Sequence, residues 1–382
     1  MKNIALLGAS GSIGKQTLDV LRMYPDKFKL ISASVNSDIA AIEAIVKEFN
    51  PEIVGVLDTI EADKLFLSIS GTDIVSGSEA ASICATFDSV DIVVNAVAGF
   101  DGIFPFLEAV KAGKTIAAVN KESIVCSHGI INKEGGIAFG KLKNGAKIIP
   151  IDSEQSAIFK CAASGVNVKK LILTASGGPF FGYTAAELSC VTLEDTLKHP
   201  TWKMGKKITI DSATMFNKGL EIIEAAYLFG TENIDVLVHP KSIVHSIVEF
   251  DDGSLIAEMY NPNMRLPIQY ALTYPEKLKS EVPELDLSAI GKLEFFKPDE
   301  GNFPALRMAR DVLKRGGGYP IAYNAANEVA VGMFINGSIG FLDISRCVEF
   351  ALSKFKDSPV DSLEGVLIAD RETRKIASSF KK

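Results

Sequence analysis

The sequence predicts an α/β protein of more than one domain, and three observations carry that expectation. The chain has 382 residues, too many for one typical core. Up to about residue 150, short apolar runs alternate with helix-length segments, the pattern of parallel β-α-β units. Beyond residue 150 the pattern changes twice, first to strands separated by a long irregular stretch and then to mostly helical sequence.

The first region holds six strand-like runs: Ile4–Leu7, Leu30–Val35, Ile53–Leu57, Asp91–Val97, Thr115–Val119 and Lys147–Ile151. The first run enters Gly8-Ala9-Ser10-Gly11-Ser12-Ile13-Gly14, and Lys15–Leu21 leaves it with helical character. Alone, this G-x-x-G-x-x-G loop is one residue longer than the usual dinucleotide fingerprint and reads equally as a tight turn with no ligand. A strand before it, a helix after it and further strands beyond favour a nicotinamide dinucleotide, whose pyrophosphate takes the free N–H groups at the helix start. Residues 1–149 are therefore expected to form a Rossmann-like, doubly wound nucleotide domain.

From residue 150 the text differs. Leu171–Ser176 runs into Gly177-Gly178-Pro179, and roughly thirty residues with few core-like runs follow before Lys207–Ile210, a length typical of binding loops and lids. The segment from about 178 to 205 is read as a lid. An amphipathic helix is expected over Ala213–Phe229, then strands Ser242–Phe250 and Leu255–Tyr260 joined through Asp251-Asp252-Gly253 as a hairpin. Residues 150–273 read as a central α+β catalytic domain. Residues 274–302, opening with the proline-containing Tyr274–Pro283, read as a linker. Residues 303–382 read as a small helical domain, with helices over Ala305–Lys314, Asn324–Ile335, Ile344–Phe355 and Arg371–Phe380.

Composition narrows the function. A net charge of −7 argues against a general nucleic-acid binder, which needs a basic surface to release counterions. Any anionic substrate must be met by local cations or a metal. The cysteines Cys84, Cys126, Cys161, Cys190 and Cys347 are odd in number, scattered and without a C-x-x-C pair, as in reduced cytosolic proteins. The apolar run at Ile4–Leu7 is too short for a signal peptide, and no segment reaches transmembrane length. The expected location is the cytoplasm, with no membrane partner.

Three carboxylates stand out. In Pro150-Ile151-Asp152-Ser153-Glu154, an extended chain places Asp152 and Glu154 on the same side. In Asp211-Ser212-Ala213-Thr214-Met215-Phe216-Asn217-Lys218-Gly219-Leu220-Glu221, a helix places Asn217, Lys218 and Glu221 on one face. Oxygen-only ligands suit Mg²⁺ or Mn²⁺ rather than zinc. Taken singly, the first pair reads as solvated acids and Glu221 as an acid paired with Lys218; the metal reading comes from the segments together. Ser176, beside Gly177-Gly178, suits a phosphate or hydroxyl contact. His128, His239 and His245 are read as structural. His199 is not, because Lys198-His199-Pro200-Thr201-Trp202-Lys203-Met204-Gly205 sets it in a glycine-flanked loop with cationic neighbours and the only tryptophan.

GASGSIG, Val119-Asn120-Lys121-Glu122-Ser123, IDSE, TASGGPF, HPTWKMG, DSATMFNKGLE and Asn324-Ala325-Ala326-Asn327-Glu328, in this order, closely resemble the 1-deoxy-D-xylulose 5-phosphate reductoisomerase family over almost the whole chain. The resemblance implies isomerisation of that sugar phosphate and its reduction with NADPH to 2-C-methyl-D-erythritol 4-phosphate, in the non-mevalonate route to isoprenoids, by a homodimer that needs a divalent cation. By motif, Asp152, Glu154 and Glu221 resemble the metal ligands. Ser153, Ser176, His199, Ser212, Asn217 and Lys218 resemble the residues that hold substrate, with Ser176, Ser212, Asn217 and Lys218 at its phosphate end. Glu154 and Glu221 also meet substrate by this likeness, and the catalytic set is Lys121, Asp152, Glu154, His199 and Glu221. Ser10, Gly11, Ser12 and Ile13 resemble the pyrophosphate loop. Asn36, Asn120, Glu122 and Gly205 resemble other cofactor contacts, and Lys121 is shared between cofactor and substrate. Where many members carry Gly-Lys-Asn, this chain has Asn36-Ser37-Asp38, which removes one partner for the 2′-phosphate. On the residues alone, another NADP-dependent oxidoreductase would explain the first domain but leave IDSE and NKGLE without a role. A dinucleotide sensor would need only the glycine loop.

Overall fold

The computed structural model describes residues 1–162, 167–202 and 204–381, which fall into two compact units. The first comprises Met1–Ser123, Gly140–Ser156 and Asn263–Val282; the second comprises Ile124–Phe139, Ala157–Pro262 and Pro283–Lys382.

The first unit is built on a parallel sheet of seven strands: β1 (Lys2–Leu7), β2 (Phe28–Val35), β3 (Ile53–Val56), β4 (Asp73–Ser76), β5 (Ile92–Asn95), β6 (Thr115–Ala118) and β7 (Lys147–Pro150). Their order is β4-β3-β2-β1-β5-β6-β7. The central strands are apolar on both faces because helices cover both, and Ile4 through Leu7 are wholly buried. Beyond the six expected strands stands β4, whose Asp73-Ile74-Val75-Ser76 is too short and polar to register as an apolar run. The chain leaves β1 toward β2 on one side and returns to pair β5 on the other, so the order reverses between β1 and β5. In open α/β sheets that crevice, at the strands' carboxyl ends, is where ligands bind. The helix Arg265–Thr273 also belongs to this unit and packs against the helix Ser12–Met23, where Arg265 Nε donates to Asp19 at 3.1 Å.

The second unit holds a four-stranded sheet, β11-β10-β8-β9, made of β8 (Val168–Ala175), β9 (Ile234–Val238), β10 (Val244–Phe250) and β11 (Leu255–Met259). The expected hairpin closes through Asp252, which accepts from Ser254 N–H at 2.8 Å, and Gly253 at φ +84°. β11 is an open edge, with Leu255 58% and Ile256 40% exposed. The helix expected from Ala213 starts at Phe216 instead, after a separate helix Lys206–Ala213. Met215 adopts a left-handed conformation at φ +65° between them, which no helix continues through. Four helices, Ala305–Arg315, Tyr319–Ile335, Phe341–Lys354 and Leu363–Ser378, complete the unit.

Candidate active site

In the first unit the glycine loop is a backbone device. Gly8 sits at φ +74°, open to glycine alone, and a Cβ there would stand 2.5 Å from the Ala96 carbonyl oxygen beyond β5. A Cβ on Gly14 would overlap the carbonyl of Ala9, so this glycine lets the helix Ser12–Met23 close onto the loop that leaves β1. Gly11 caps that helix with no side-chain hydrogen bond. The first N–H groups of a helix have no partner within it. Gly11 and Ser12 are exposed and Ser10 and Ile13 half-buried, so the loop presents peptide donors rather than side-chain charge. Asn36, Ser37 and Asp38 follow β2 and are exposed; Asp38 spends its carboxylate on capping the helix Ile39–Phe49, accepting from Ala41 N–H at 3.1 Å.

Asn120 has a structural engagement as well. Its amide donates to the carbonyls of Val97 (2.7 Å) and Gly99 (2.8 Å), and its Oδ1 accepts from Ser123 N–H at 2.6 Å, which fixes the loop after β5 and the start of the helix Lys121–Lys133. Lys121 opens that helix, and Glu122, half-buried, stands in its first turn. Lys121 Nζ lies 2.7 Å from Asp152 Oδ2, and both side chains are largely shielded. At ~2.7 Å in such surroundings a charge-assisted bond is about twice as strong as a neutral one.

The carboxylates Asp152 and Glu154 do not lie in extended chain as expected. β7 ends at Pro150, and the helix Ser153–Ala162 begins three residues later, with Asp152 O accepting from Ser156 N–H at 2.8 Å. Asp152 thus precedes a helix and Glu154 lies in its first turn, where the dipole favours negative charge. The hydroxyl of Ser153 donates to Glu154.

In the second unit the structure brings together Ser176, His199 and Ser212. His199 Nε2 lies 3.1 Å from Ser176 Oγ and 3.0 Å from Ser212 Oγ. Its other nitrogen, Nδ1, accepts from the N–H groups of Thr201 (3.1 Å) and Trp202 (2.9 Å). Two donors on Nδ1 place the proton of the neutral ring on Nε2. Burial lowers this histidine to about 4, so it stays neutral near pH 7. The serine oxygens accept from Nε2–H, and Ser176 Oγ accepts also from Gly178 N–H at 3.2 Å, which leaves both hydroxyl hydrogens to donate to an anion. Gly178, at φ +67°, is needed because a Cβ would press within 2.9 Å of Ser212 O.

Asn217, Lys218 and Glu221 share one face at the start of the helix Phe216–Phe229, as their spacing predicts. Glu221 is 0% exposed and accepts from Asn217 Nδ2 at 2.5 Å and from Lys218 Nζ. A fully buried carboxylate needs such partners, since an ion taken out of water without them costs several kcal/mol.

The stretch read as a lid is not structureless. It contains two single-turn helices, Ala185–Leu188 and Leu193–Thr196, each closed by a capping box, with Phe180, Leu188 and Thr196 buried. Phe180 stacks edge-on against Phe341 at 5.1 Å. Trp202 is half-buried and meets the edge of His245 at 6.5 Å; Gly205, exposed, caps the helix Lys206–Ala213; Lys203 lies outside the described residues. His128, stacked on Tyr227, His239, bonded to Glu294 O, and His245, stacked on Tyr260, have the structural surroundings expected of them. Sequence reasoning quoted Asp211 and Asn327 within motifs but gave them no role; they are buried and hydrogen-bonded to one another beside Ser212. The available signal was Asn327, an amide in a helix otherwise rich in Ala and Val.

Comparison with known proteins covers the chain from end to end. Three family models match: 1-deoxy-D-xylulose 5-phosphate reductoisomerase over residues 4–128, that enzyme's C-terminal domain over 148–229, and the DXP reductoisomerase C-terminal domain over 259–376. A 1-deoxy-D-xylulose 5-phosphate reductoisomerase of Thermodesulfovibrio yellowstonii is 46% identical, covering 99% of this chain and 98% of its own. A second, from Bacillus cereus, is 48% identical over 98% of both chains. Among solved structures, a DOX-P reductoisomerase in complex with NADPH, fosmidomycin and magnesium superposes with TM-score 0.92 at 37% identity over 99% of this chain and 98% of that one. The Zymomonas mobilis reductoisomerase with NADPH gives 0.91 at the same identity and coverage. With sequence and fold in agreement over the full length, the chain belongs to the 1-deoxy-D-xylulose 5-phosphate reductoisomerase family.

Proposed function

We infer that the protein rearranges 1-deoxy-D-xylulose 5-phosphate and reduces the resulting aldehyde to 2-C-methyl-D-erythritol 4-phosphate, with NADPH and a divalent cation. The observation that carries the reading is the junction of Ser176, His199 and Ser212, a neutral hydrogen-bond donor set built for a phosphate, in a chain whose relatives act on a sugar phosphate. Ser176 and Ser212 donate to the phosphate oxygens, with Asn217 and Lys218 completing that end, and His199 holds the two hydroxyls in place. Remote binding of this kind orients the reacting carbons without taking part in the bond changes.

Asp152, Glu154 and Glu221 fit a hard cation such as Mg²⁺ or Mn²⁺, being oxygen donors with no thiol or imidazole among them. When bound, the cation supplies Lewis-acid stabilisation of the substrate's carbonyl and hydroxyl oxygens as the carbon skeleton rearranges. Lys121, held beside Asp152, keeps that carboxylate oriented and places a positive charge toward substrate and cofactor. Ser153 adds a hydroxyl next to Glu154. The glycine loop fits the NADPH pyrophosphate through Ser10, Gly11, Ser12 and Ile13, and Asn36, Asn120, Glu122 and Gly205 are assigned to the rest of the cofactor. Bound NADPH supplies the hydride. Residues 1–149 then serve as the nucleotide region, 150–273 as the catalytic region, 274–302 as a linker and 303–382 as its helical support. The segment from about 178 to 205 excludes water between the two steps.

The protein is read as a cytoplasmic homodimer. Its five cysteines are free, four of them buried, and the open β11 edge with exposed Leu255 and Ile256 offers a surface for a second copy. No described helix is long and apolar enough to cross a membrane. The test is NADPH oxidation in the presence of deoxyxylulose phosphate. Turnover that disappears with EDTA and returns with Mg²⁺ or Mn²⁺ is expected, and turnover indifferent to chelation would refute the metal assignment.

A further inference from the structure

The motif Asn324-Ala325-Ala326-Asn327-Glu328 has no part in the chemistry above. It lies within the helix Tyr319–Ile335 of the second unit, and both asparagines are fully buried. Amides buried in a helix otherwise rich in Ala and Val are retained where they meet a specific partner. For Asn327 the partner is a carboxylate: Nδ2 donates to Asp211 Oδ1 at 2.7 Å. Asp211 is itself 1% exposed, and its second oxygen lies 2.9 Å from Lys207 Nζ, one turn earlier on the helix Lys206–Ala213. The next residue in the chain is Ser212, whose hydroxyl meets His199.

One turn before Asn327, on the same face, Tyr323 is wholly buried and donates to Ala305 O at 3.1 Å. Its hydroxyl occupies the place a Cβ on Gly219 would take. The same helix face therefore touches both the helix that presents Ser212 and the helix that presents Asn217, Lys218 and Glu221.

We propose that Asn327 is a positioning residue for the phosphate end of the substrate. By holding the Asp211 carboxylate it sets the rotation and depth of the helix Lys206–Ala213, and so turns Ser212 Oγ toward His199. This rests on the reading of Ser176, Ser212, Asn217 and Lys218 as the phosphate site. An amide suits the task because it gives a short, directional bond without adding charge, whereas Lys207, half-exposed on a flexible stem, neutralises Asp211 without fixing it. Without the amide, the buried carboxylate turns toward Lys207 and water, and Ser212 moves with it. The consequence falls on phosphate affinity rather than on hydride transfer.

The experiment compares Asn327→Leu and Asn327→Ser with Ser212→Ala in the enzyme loaded with Mg²⁺ and NADPH. It reads KM and kcat for deoxyxylulose phosphate, competitive inhibition by inorganic phosphate, and NADPH affinity from nucleotide fluorescence. All three variants are expected to raise KM and the phosphate inhibition constant tenfold or more, with the Asn327 variants keeping kcat within about threefold and NADPH affinity unchanged, since ~tenfold in binding needs only the loss of one good hydrogen bond. If Ser212→Ala raises both constants and the Asn327 variants do not, the positioning role is wrong while the phosphate site stands. If Ser212→Ala also changes neither, the phosphate site itself is wrong. A parallel loss of kcat and NADPH affinity would show a general structural role and overturn the proposal. Should Asn327→Leu not fold, the exchange of Asn327→Asp with Asp211→Asn decides. It restores one amide-to-carboxylate bond and is expected to recover the phosphate affinity lost in Asn327→Asp alone; a folded double variant without recovery refutes the role.

Discussion

The glycine loop of the first unit and the serine–histidine junction of the second are both assigned to phosphate groups, but they are made of different material. The loop is seven consecutive residues in which the donors are peptide N–H groups and the side chains mainly stay out of the way. The junction draws on Ser176, His199 and Ser212, far apart in sequence, and works through side chains whose tautomer and rotamers are fixed by their neighbours. A backbone site depends on local conformation and tolerates change in side chains that do not crowd it. A side-chain site depends on everything that holds its parts in place, so its weak points lie outside it as well.

The largest effects should come from the carboxylates, which have no backbone substitute. Glu154→Gln is expected to lower kcat by about 10³-fold, because a cation contributes several kcal/mol to the transition state and each ~1.4 kcal/mol is tenfold. Glu154 is half-exposed, so its melting temperature should barely move. Glu221→Gln should cost as much activity and also about 3 kcal/mol of stability, since it leaves the buried Lys218 ammonium without its carboxylate. Rate and denaturation measured on the same samples check both. Wild-type turnover at saturating metal in either variant would remove that residue from the metal site.

The backbone site should fail differently. Gly14→Ala places a methyl group against the Ala9 carbonyl, and relief requires the helix and the Gly8-Ala9 turn to move apart. The expected result is a loss of about 2 kcal/mol in stability, typical of overpacking, together with NADPH affinity weakened at least tenfold. Fluorescence titration with NADPH and chemical denaturation measure the two. Unchanged affinity in a destabilised protein would mean that the loop only turns the chain.

This contrast also explains what could be read in advance. Six of the seven strands of the parallel sheet and the whole glycine loop were legible, because parallel strands buried on both faces are continuous apolar runs and glycine spacing is local. β9 escaped notice because Ile234-Asp235-Val236-Leu237-Val238 interrupts its apolar run with an exposed aspartate. The Asn217-Lys218-Glu221 face was legible from helical period, which needs no tertiary information. Asp152 and Glu154 were identified but placed in extended chain; Pro150 and Asp152 are signals for the end of the strand and the start of a helix, but the apolar run Lys147–Ile151 leading into them read as continuing strand. The bond from Asn327 to Asp211 joins residues that only the folded chain brings together, so spacing could not reveal it.

A smaller effect is expected where the proposed nucleotide site would use a side chain. Ser37 is exposed after β2, and the adjacent Asp38 carboxylate is committed to a helix cap. A hydroxyl offers the 2′-phosphate a hydrogen bond without neutralisation. Ser37→Lys should raise the ratio of kcat/KM for NADPH over NADH by about tenfold, the worth of one charge-assisted contact. A ratio unmoved by the lysine would place the 2′-phosphate elsewhere.

The smallest signal, and the one that separates the two sites most directly, concerns Trp202. A backbone loop is formed before its ligand arrives, whereas the junction includes His199, whose Nδ1 is held by the peptide N–H groups of Thr201 and Trp202. The segment before it is anchored: Phe180, Leu188 and Thr196 are buried, and Phe180 stacks on Phe341. What remains to move is the short run from Lys198 to Gly205, exposed or half-buried among its described residues. Trp202 stands in that run half-buried, with its ring centroid 6.5 Å from that of His245, and large aromatic side chains gain most of their stabilisation from burial. Adding a phosphonate mimic of the substrate with Mg²⁺ and NADPH should therefore cover the indole, shifting its emission to shorter wavelength by a few nanometres and slowing proteolysis between residues 198 and 205. Because Trp202 is the only tryptophan, the change reports on this run alone. NADPH by itself should shift the emission much less, since the glycine loop needs no closure to bind it. An emission maximum indifferent to the phosphonate would mean that both sites are preformed, and that water is excluded by some other part of the chain.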